Sequence, residues 1–139
     1  MRSKYYYIGL LLLLLPALSF GQGNKTIKRN KVASQTTYEY FLAEGKKEPV
    51  IEKVETFDEN GNVLETKEFN KSGEIRFWES YTYNENGDLV EQKSMDEKGR
   101  VEERIEYVYK EELIKEKRYF DVKGRLVKKK TYSYEFREE

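Results

Sequence analysis

From Val50 onward, apolar and polar residues alternate in short runs, and each run closes on a polar string that usually contains glycine. Alternation at a period of two is the pattern of half-buried strands, because successive side chains point to opposite faces. The closing strings are copies of one turn: Phe57-Asp58-Glu59-Asn60-Gly61, Phe69-Asn70-Lys71-Ser72-Gly73, Tyr83-Asn84-Glu85-Asn86-Gly87, Met95-Asp96-Glu97-Lys98-Gly99 and Phe120-Asp121-Val122-Lys123-Gly124. Asp or Asn opens each copy, and Gly follows three residues later. This spacing predicts a type I turn closed by a left-handed residue: Asp or Asn bonds its own turn, and only Gly takes the positive φ without strain. A shorter copy, Tyr109-Lys110-Glu111-Glu112-Leu113, lacks the glycine.

These turns predict strands at about 50–57, 62–69, 74–83, 88–95, 100–109, 113–120 and 125–136, with a first strand near 35–42. Because every connection is short, neighbours in sequence become neighbours in the sheet. The expected fold is therefore all-β, an antiparallel up-and-down meander of about eight strands, open or curled into an incomplete barrel. Long and short strands alternate, so the underlying repeat is a pair of strands. It shows in the doublets Tyr81/Tyr83, Tyr107/Tyr109 and Tyr132/Tyr134, spaced 26 and then 25 residues apart. Helix competes poorly, since a glycine every 12–14 residues would break it.

Carrying each turn's register outward pairs Phe57 with Val63, Phe69 with Ile75, Tyr83 with Leu89, Met95 with Val101 and Phe120 with Leu126. Each pair sets an aromatic or Met against an aliphatic residue, a stabilising cross-strand combination. The same register sets Lys67 opposite Phe77 and Lys93 beside both Glu79 and Glu103, and it gathers the tyrosine doublets on one face. The opposite face is mostly polar, with Leu64, Trp78, Val90, Val108 and Val127 as exceptions.

The start of the chain follows another pattern. Arg2 and Lys4 precede an apolar run from Ile8 to Leu15, and Ser19 and Gly21 supply small residues two apart. That arrangement predicts a cleaved secretory signal over 1–21, cut between Gly21 and Gln22, touching a membrane only transiently. The apolar stretch is too short for a bilayer-spanning helix. Its ending, Ser19-Phe20-Gly21-Gln22, resembles Bacteroidetes signal peptides and implies a periplasmic or secreted location. Residues 22–33, with Lys25, Lys28, Arg29 and Lys31, read as a flexible, solvated lead-in, leaving 34–139 as the repeat domain.

Composition narrows the chemistry. With 26 basic and 26 acidic residues among 139, the chain lacks the positive excess of a general nucleic-acid binder. Without the two basic residues of the leader, 24 basic face 26 acidic, a net of −2. That charge is patterned: residues 22–53 hold 7 basic and 4 acidic residues, 54–112 hold 8 and 17, and 113–139 hold 9 and 5. The sequence has no Cys and no His, which removes disulfides, thiol nucleophiles, the usual zinc sites and imidazole acid–base chemistry. Neither a cofactor nor a metal is expected.

The string Phe120-Asp121-Val122-Lys123-Gly124-Arg125-Leu126 resembles the YD (RHS-type) repeat, and the hairpin array over 50–136 is similar to MORN-variant repeats. Large YD proteins roll such strands into enclosing shells, but the repeat spacing here is tighter. The resemblance thus implies an extracytoplasmic β-repeat protein and carries over no catalytic residue.

The turn residues Asp58, Gly61, Asn70, Gly73, Asn84, Gly87, Asp96, Gly99, Asp121 and Gly124 read as structural, since successive turns lie at opposite ends of the sheet and cannot form one calcium cage. Adjacent carboxylates such as Glu102/Glu103 and Glu111/Glu112 point to opposite faces and do not converge on a sugar. The candidate binding surface is aromatic: Phe77, Trp78, Tyr81, Tyr83, Tyr107, Tyr109, Tyr132 and Tyr134. Lys128-Lys129-Lys130, in the last strand, reads as edge protection. The expected function is non-catalytic binding of a protein or glycan at the cell envelope, or a structural role. An immunity-type inhibitor of a toxin, as the MORN-variant likeness permits, is the alternative. An enzyme acting on extracellular sugars is the weaker one.

Overall fold

The computed structural model describes residues 23–138, so the leader and its cleavage point lie outside the described residues. Eight strands follow one another in a single antiparallel sheet: β1 (Ser34–Glu39), β2 (Val50–Phe57), β3 (Val63–Phe69), β4 (Ile75–Tyr83), β5 (Leu89–Met95), β6 (Val101–Lys110), β7 (Leu113–Phe120) and β8 (Leu126–Thr131). Spatial order equals sequence order, and the sheet stays open, with β1 and β8 at its edges. The fold is all-β with almost no helix, an up-and-down meander not closed into a barrel.

The five full turns share one construction. Each glycine has a positive φ, between 73° and 86°, and its N–H donates to the carbonyl of the opening Asp or Asn. One side-chain oxygen of that Asp or Asn accepts two backbone N–H groups, two and four residues ahead, at 2.8–3.0 Å. The other terminal atom of the opener bonds the side chain four residues on, and the chemistry of the two is matched. Asn70 donates to Glu74 and Asn84 to Asp88; Asp58 accepts from Asn62, Asp96 from Arg100 and Asp121 from Arg125. The glycine-free turn between β6 and β7 instead places Glu111 in the left-handed region, at φ 58°.

The expected pairs beside the five turns form: Phe57–Val63, Phe69–Ile75, Tyr83–Leu89, Met95–Val101 and Phe120–Leu126. Beyond them the register departs from simple alternation. In all seven strand pairs it slips by one residue within two pairs of the connection, a β-bulge each time. A one-residue slip exchanges the face that a whole strand presents to its neighbour. Lys67 therefore faces Trp78, not Phe77, which faces Glu68. Lys93 lies opposite Ser80 and Arg104, while Glu79 and Glu103 both oppose Ser94, so the expected ladder around Lys93 does not form.

Two segments differ from their sequence reading. Residues 22–33, read as a solvated tether, contain a helix, α1 (Asn24–Arg29). Ile27 on α1 is 2% exposed, and Phe57 N–H donates to the Ala33 carbonyl, so an isolated apolar side chain docks this segment on the sheet. At the other end, β8 stops at Thr131 instead of continuing to 136. A neighbour on one side only leaves half of its backbone groups without a ladder partner.

Among the described residues Ile27 is the one buried hydrophobic side chain, and most strand residues are half-buried. Long side chains lie along the sheet and shield one another in place of a second layer.

Candidate functional site

The bulges sort the candidate residues onto two faces. One, the tyrosine face, carries Phe77, Tyr81 and Tyr83 of β4, Tyr107 and Tyr109 of β6, and Lys117 and Tyr119 of β7. Tyr132 and Tyr134 continue it beyond β8. The other, the tryptophan face, carries Trp78 with Lys67, Lys93, Arg104, Glu116 and Phe120.

On the tyrosine face the two members of each doublet do different work. The second donates its hydroxyl to a backbone carbonyl near the bulge of the preceding strand: Tyr83 to Val63 at 2.9 Å, Tyr109 to Leu89 at 2.9 Å, Tyr134 to Ile114 at 2.5 Å. Each tether reaches back 20 residues. A bulge interrupts the ladder, and the phenol supplies a donor where the backbone falls out of step. Burial, then the nearby Asp58 charge, pushes the Tyr83 hydroxyl above its ordinary pKa; burial and Asp88 do the same for Tyr109.

The first members lie nearer the middle of the sheet. Tyr81 donates to Glu79 Oε2 at 2.7 Å, and Ser94 donates to Glu79 Oε1 at 3.2 Å. Burial and the Glu79 carboxylate hold the Tyr81 hydroxyl far above the usual range. Tyr107 donates to Gln92 at 2.8 Å, and burial, followed by neighbouring charges, pushes its pKa up to about 12. Both phenols therefore act as donors at neutral pH and not as bases.

Toward β8 the face turns basic. Lys117 Nζ lies 4.8 Å from the Tyr107 ring centre and 6.0 Å from that of Tyr132, while Lys128 and Lys130 lie 3.9 and 5.7 Å from Tyr119. Cations at these distances are attracted by the ring faces. Phe77, Tyr132 and Tyr134 are 36%, 38% and 43% exposed. Tyr119 and Lys117 were absent from the sequence-derived candidates, because the signal used was the Tyr-x-Tyr doublet and β7 carries a single tyrosine.

Trp78 is set apart. Lys67 Nζ sits 4.0 Å from its ring centre, and its far edge packs against the turn at Gly99, where a methyl would come within 3.0 Å. Its indole N–H is buried without a hydrogen-bond partner among the described residues. The same face repeats an acidic residue two before a basic one on the short strands: Glu65 with Lys67 and Glu91 with Lys93 at 2.7 Å, and Glu116 with Arg118. Arg104 bridges Glu91 and Glu106 while its guanidinium lies 4.0 Å from the Phe120 ring centre. Glu116, 8% exposed, also meets Lys129 at 3.4 Å, and bonds from Arg118 and Lys129 hold its carboxyl below the usual range.

A hollow of about 580 Å³ beside α1 is lined by Ile27, Val32, Phe57 and neighbours, and none of the eight aromatic candidates borders it. Among the described residues no group of three or more acidic side chains is arranged to hold a metal ion. The phenols of Tyr81, Tyr83, Tyr107, Tyr109 and Tyr134 are already engaged within the sheet, so what this face presents outward is ring surface and lysine ammonium groups. No protein-family model matches the chain, and no curated protein is significantly similar to it in sequence.

Proposed function

We propose that this chain is a secreted or periplasmic, non-catalytic β-repeat module that recognises a protein or glycan partner through the basic end of its tyrosine face. The observation that carries the reading is the row Tyr107, Tyr119, Tyr132 with Lys117, Lys128 and Lys130 interleaved, on a one-layer sheet. Aromatic faces alternating with flexible cations suit sugar rings that carry anionic substituents, or an extended acidic segment of a protein. Rigid rings contribute area at little entropic cost, and the ammonium groups add orientation.

Binding of the purified protein to arrays of acidic and neutral glycans and to envelope-protein extracts tests the reading. Binding is expected to fall at least tenfold in Tyr132→Ala combined with Lys128→Ala, whose side chains are not buried in the sheet. Retained binding in that double variant, or no binding by the wild type to either class, would overturn it.

A further inference from the structure

We propose that copies of this chain join end to end through their sheet edges, β1 of one copy adding to β8 of the next. The reasoning begins with strand parity. An even number of strands in an up-and-down sheet leaves the two edge strands running in opposite directions. A translated copy therefore meets β8 with an antiparallel β1, the relation that every internal pair already has. The edge strands also match in length, at six residues each.

The side chains at the edges point the same way. Tyr38, near the C-terminal end of β1, is 55% exposed, and Leu126 and Val127, at the N-terminal end of β8 that an antiparallel contact brings beside it, are 52% and 59% exposed. Large apolar groups left uncovered at opposite ends of one molecule are buried together by a single head-to-tail contact. A symmetric β8–β8 contact would bring two sets of Lys128, Lys129 and Lys130 together. In contrast, Ser34–Glu39 carries one charge, the acidic Glu39.

Lysines on an edge strand ordinarily discourage strand addition by projecting across it. Here they are drawn inward: Lys128 and Lys130 lie over Tyr119, and Lys129 reaches Glu116 of β7. The outer backbone of β8 is left without the guard its sequence suggests. At the other end, α1 sits against the β2–β3 turn through Asn24–Asn62 and Lys28–Asn60 bonds, and no described strand lies outside β1. Because the contact is heterologous and related by near-translation, it does not close, and it generates chains of variable length.

Sedimentation velocity over a concentration series tests this. Wild type is expected to rise in average mass past the dimer as concentration increases. Tyr38→Lys and Val127→Lys, each blocking one edge, are expected to remain monomeric alone. Mixed in equal amounts they are expected to form a dimer and stop there, since one competent pair of edges remains. Far-UV circular dichroism confirms that each variant keeps its sheet; Thr37→Lys and Leu126→Lys serve if either does not. A wild type that stays monomeric, or one that halts at a dimer insensitive to Tyr38→Lys, would overturn the proposal. So would a mixture that never dimerises. Glycan or partner binding is read separately, so loss of one proposal leaves the other intact.

Discussion

Positive φ is tolerated at Gly61, Gly73, Gly87, Gly99 and Gly124 for one backbone reason, yet the surroundings of these residues differ. A methyl at Gly73, Gly87 or Gly124 would meet no atom within 4 Å. At Gly99 it would press on the Trp78 ring, and at Gly61 it would overlap the Asn24 carbonyl of α1. Alanine at Gly87 should therefore cost only the left-handed strain, about 1–2 kcal/mol. Gly99→Ala should cost more, and Gly61→Ala most, because backbone cannot yield as a side chain does. Urea unfolding of the three variants checks the order. Glu111→Gly should move the other way by about 1 kcal/mol, since it relieves the left-handed non-glycine residue. Equal effects at Gly61 and Gly87 would show that α1 does not dock on that turn.

Between residue and sheet stands the hairpin, tied by a phenol as well as a ladder. Removing the hydroxyl in Tyr109→Phe strands the Leu89 carbonyl and should destabilise by about 1 kcal/mol or somewhat more. Tyr107→Phe releases only the Gln92 side chain, which can turn to water, and should cost less. The tyrosines also set the alkaline limit. Their folded pKa values lie above those of the unfolded chain, so their contribution is complete below about pH 10. It declines as pH rises through the folded values. Phenolate absorbance during an alkaline titration should show these tyrosines ionising late, together with unfolding.

At this scale the sequence was readable to a definite depth. Turn chemistry at Asp58, Asn70, Asn84, Asp96 and Asp121 repeats too regularly to mistake, and it gave the strand count, the order and the pair beside each turn. The faces were not legible from the alternation, because a bulge adds one residue without altering the local period. A trace was nonetheless present: Val63-Leu64, Leu89-Val90 and Leu126-Val127 are apolar doublets just past turns, and in each the second residue is the extra one of the bulge. Of the candidate site, the doublets were visible, whereas Tyr119 became a neighbour of Lys128 only through the slipped register.

For the whole molecule, a single layer in which Ile27 is the one buried hydrophobic side chain among the described residues exposes comparatively little new surface on unfolding. Denaturant sensitivity scales with that surface. The urea m-value should therefore fall at or below about 1 kcal/mol/M, the bottom of the range for small proteins. Trp78 fluorescence and far-UV circular dichroism, followed through the same titration, check this. A value of about 2 kcal/mol/M or more would mean that a second layer forms in solution, as association of edges or faces would supply.

The strict agreement of spatial and sequence order has a mechanical corollary. The N-terminal and C-terminal strands occupy opposite edges, and strand-to-strand contacts run between immediate neighbours. Tension applied through the two ends of the chain therefore acts across the ladders, loading the hydrogen bonds of one edge a few at a time. The sheet yields by peeling, strand after strand, at low force and over a long extension. Once the load is removed, strands re-form in order against whatever part of the sheet still stands, because a hairpin detached from it is marginal in water.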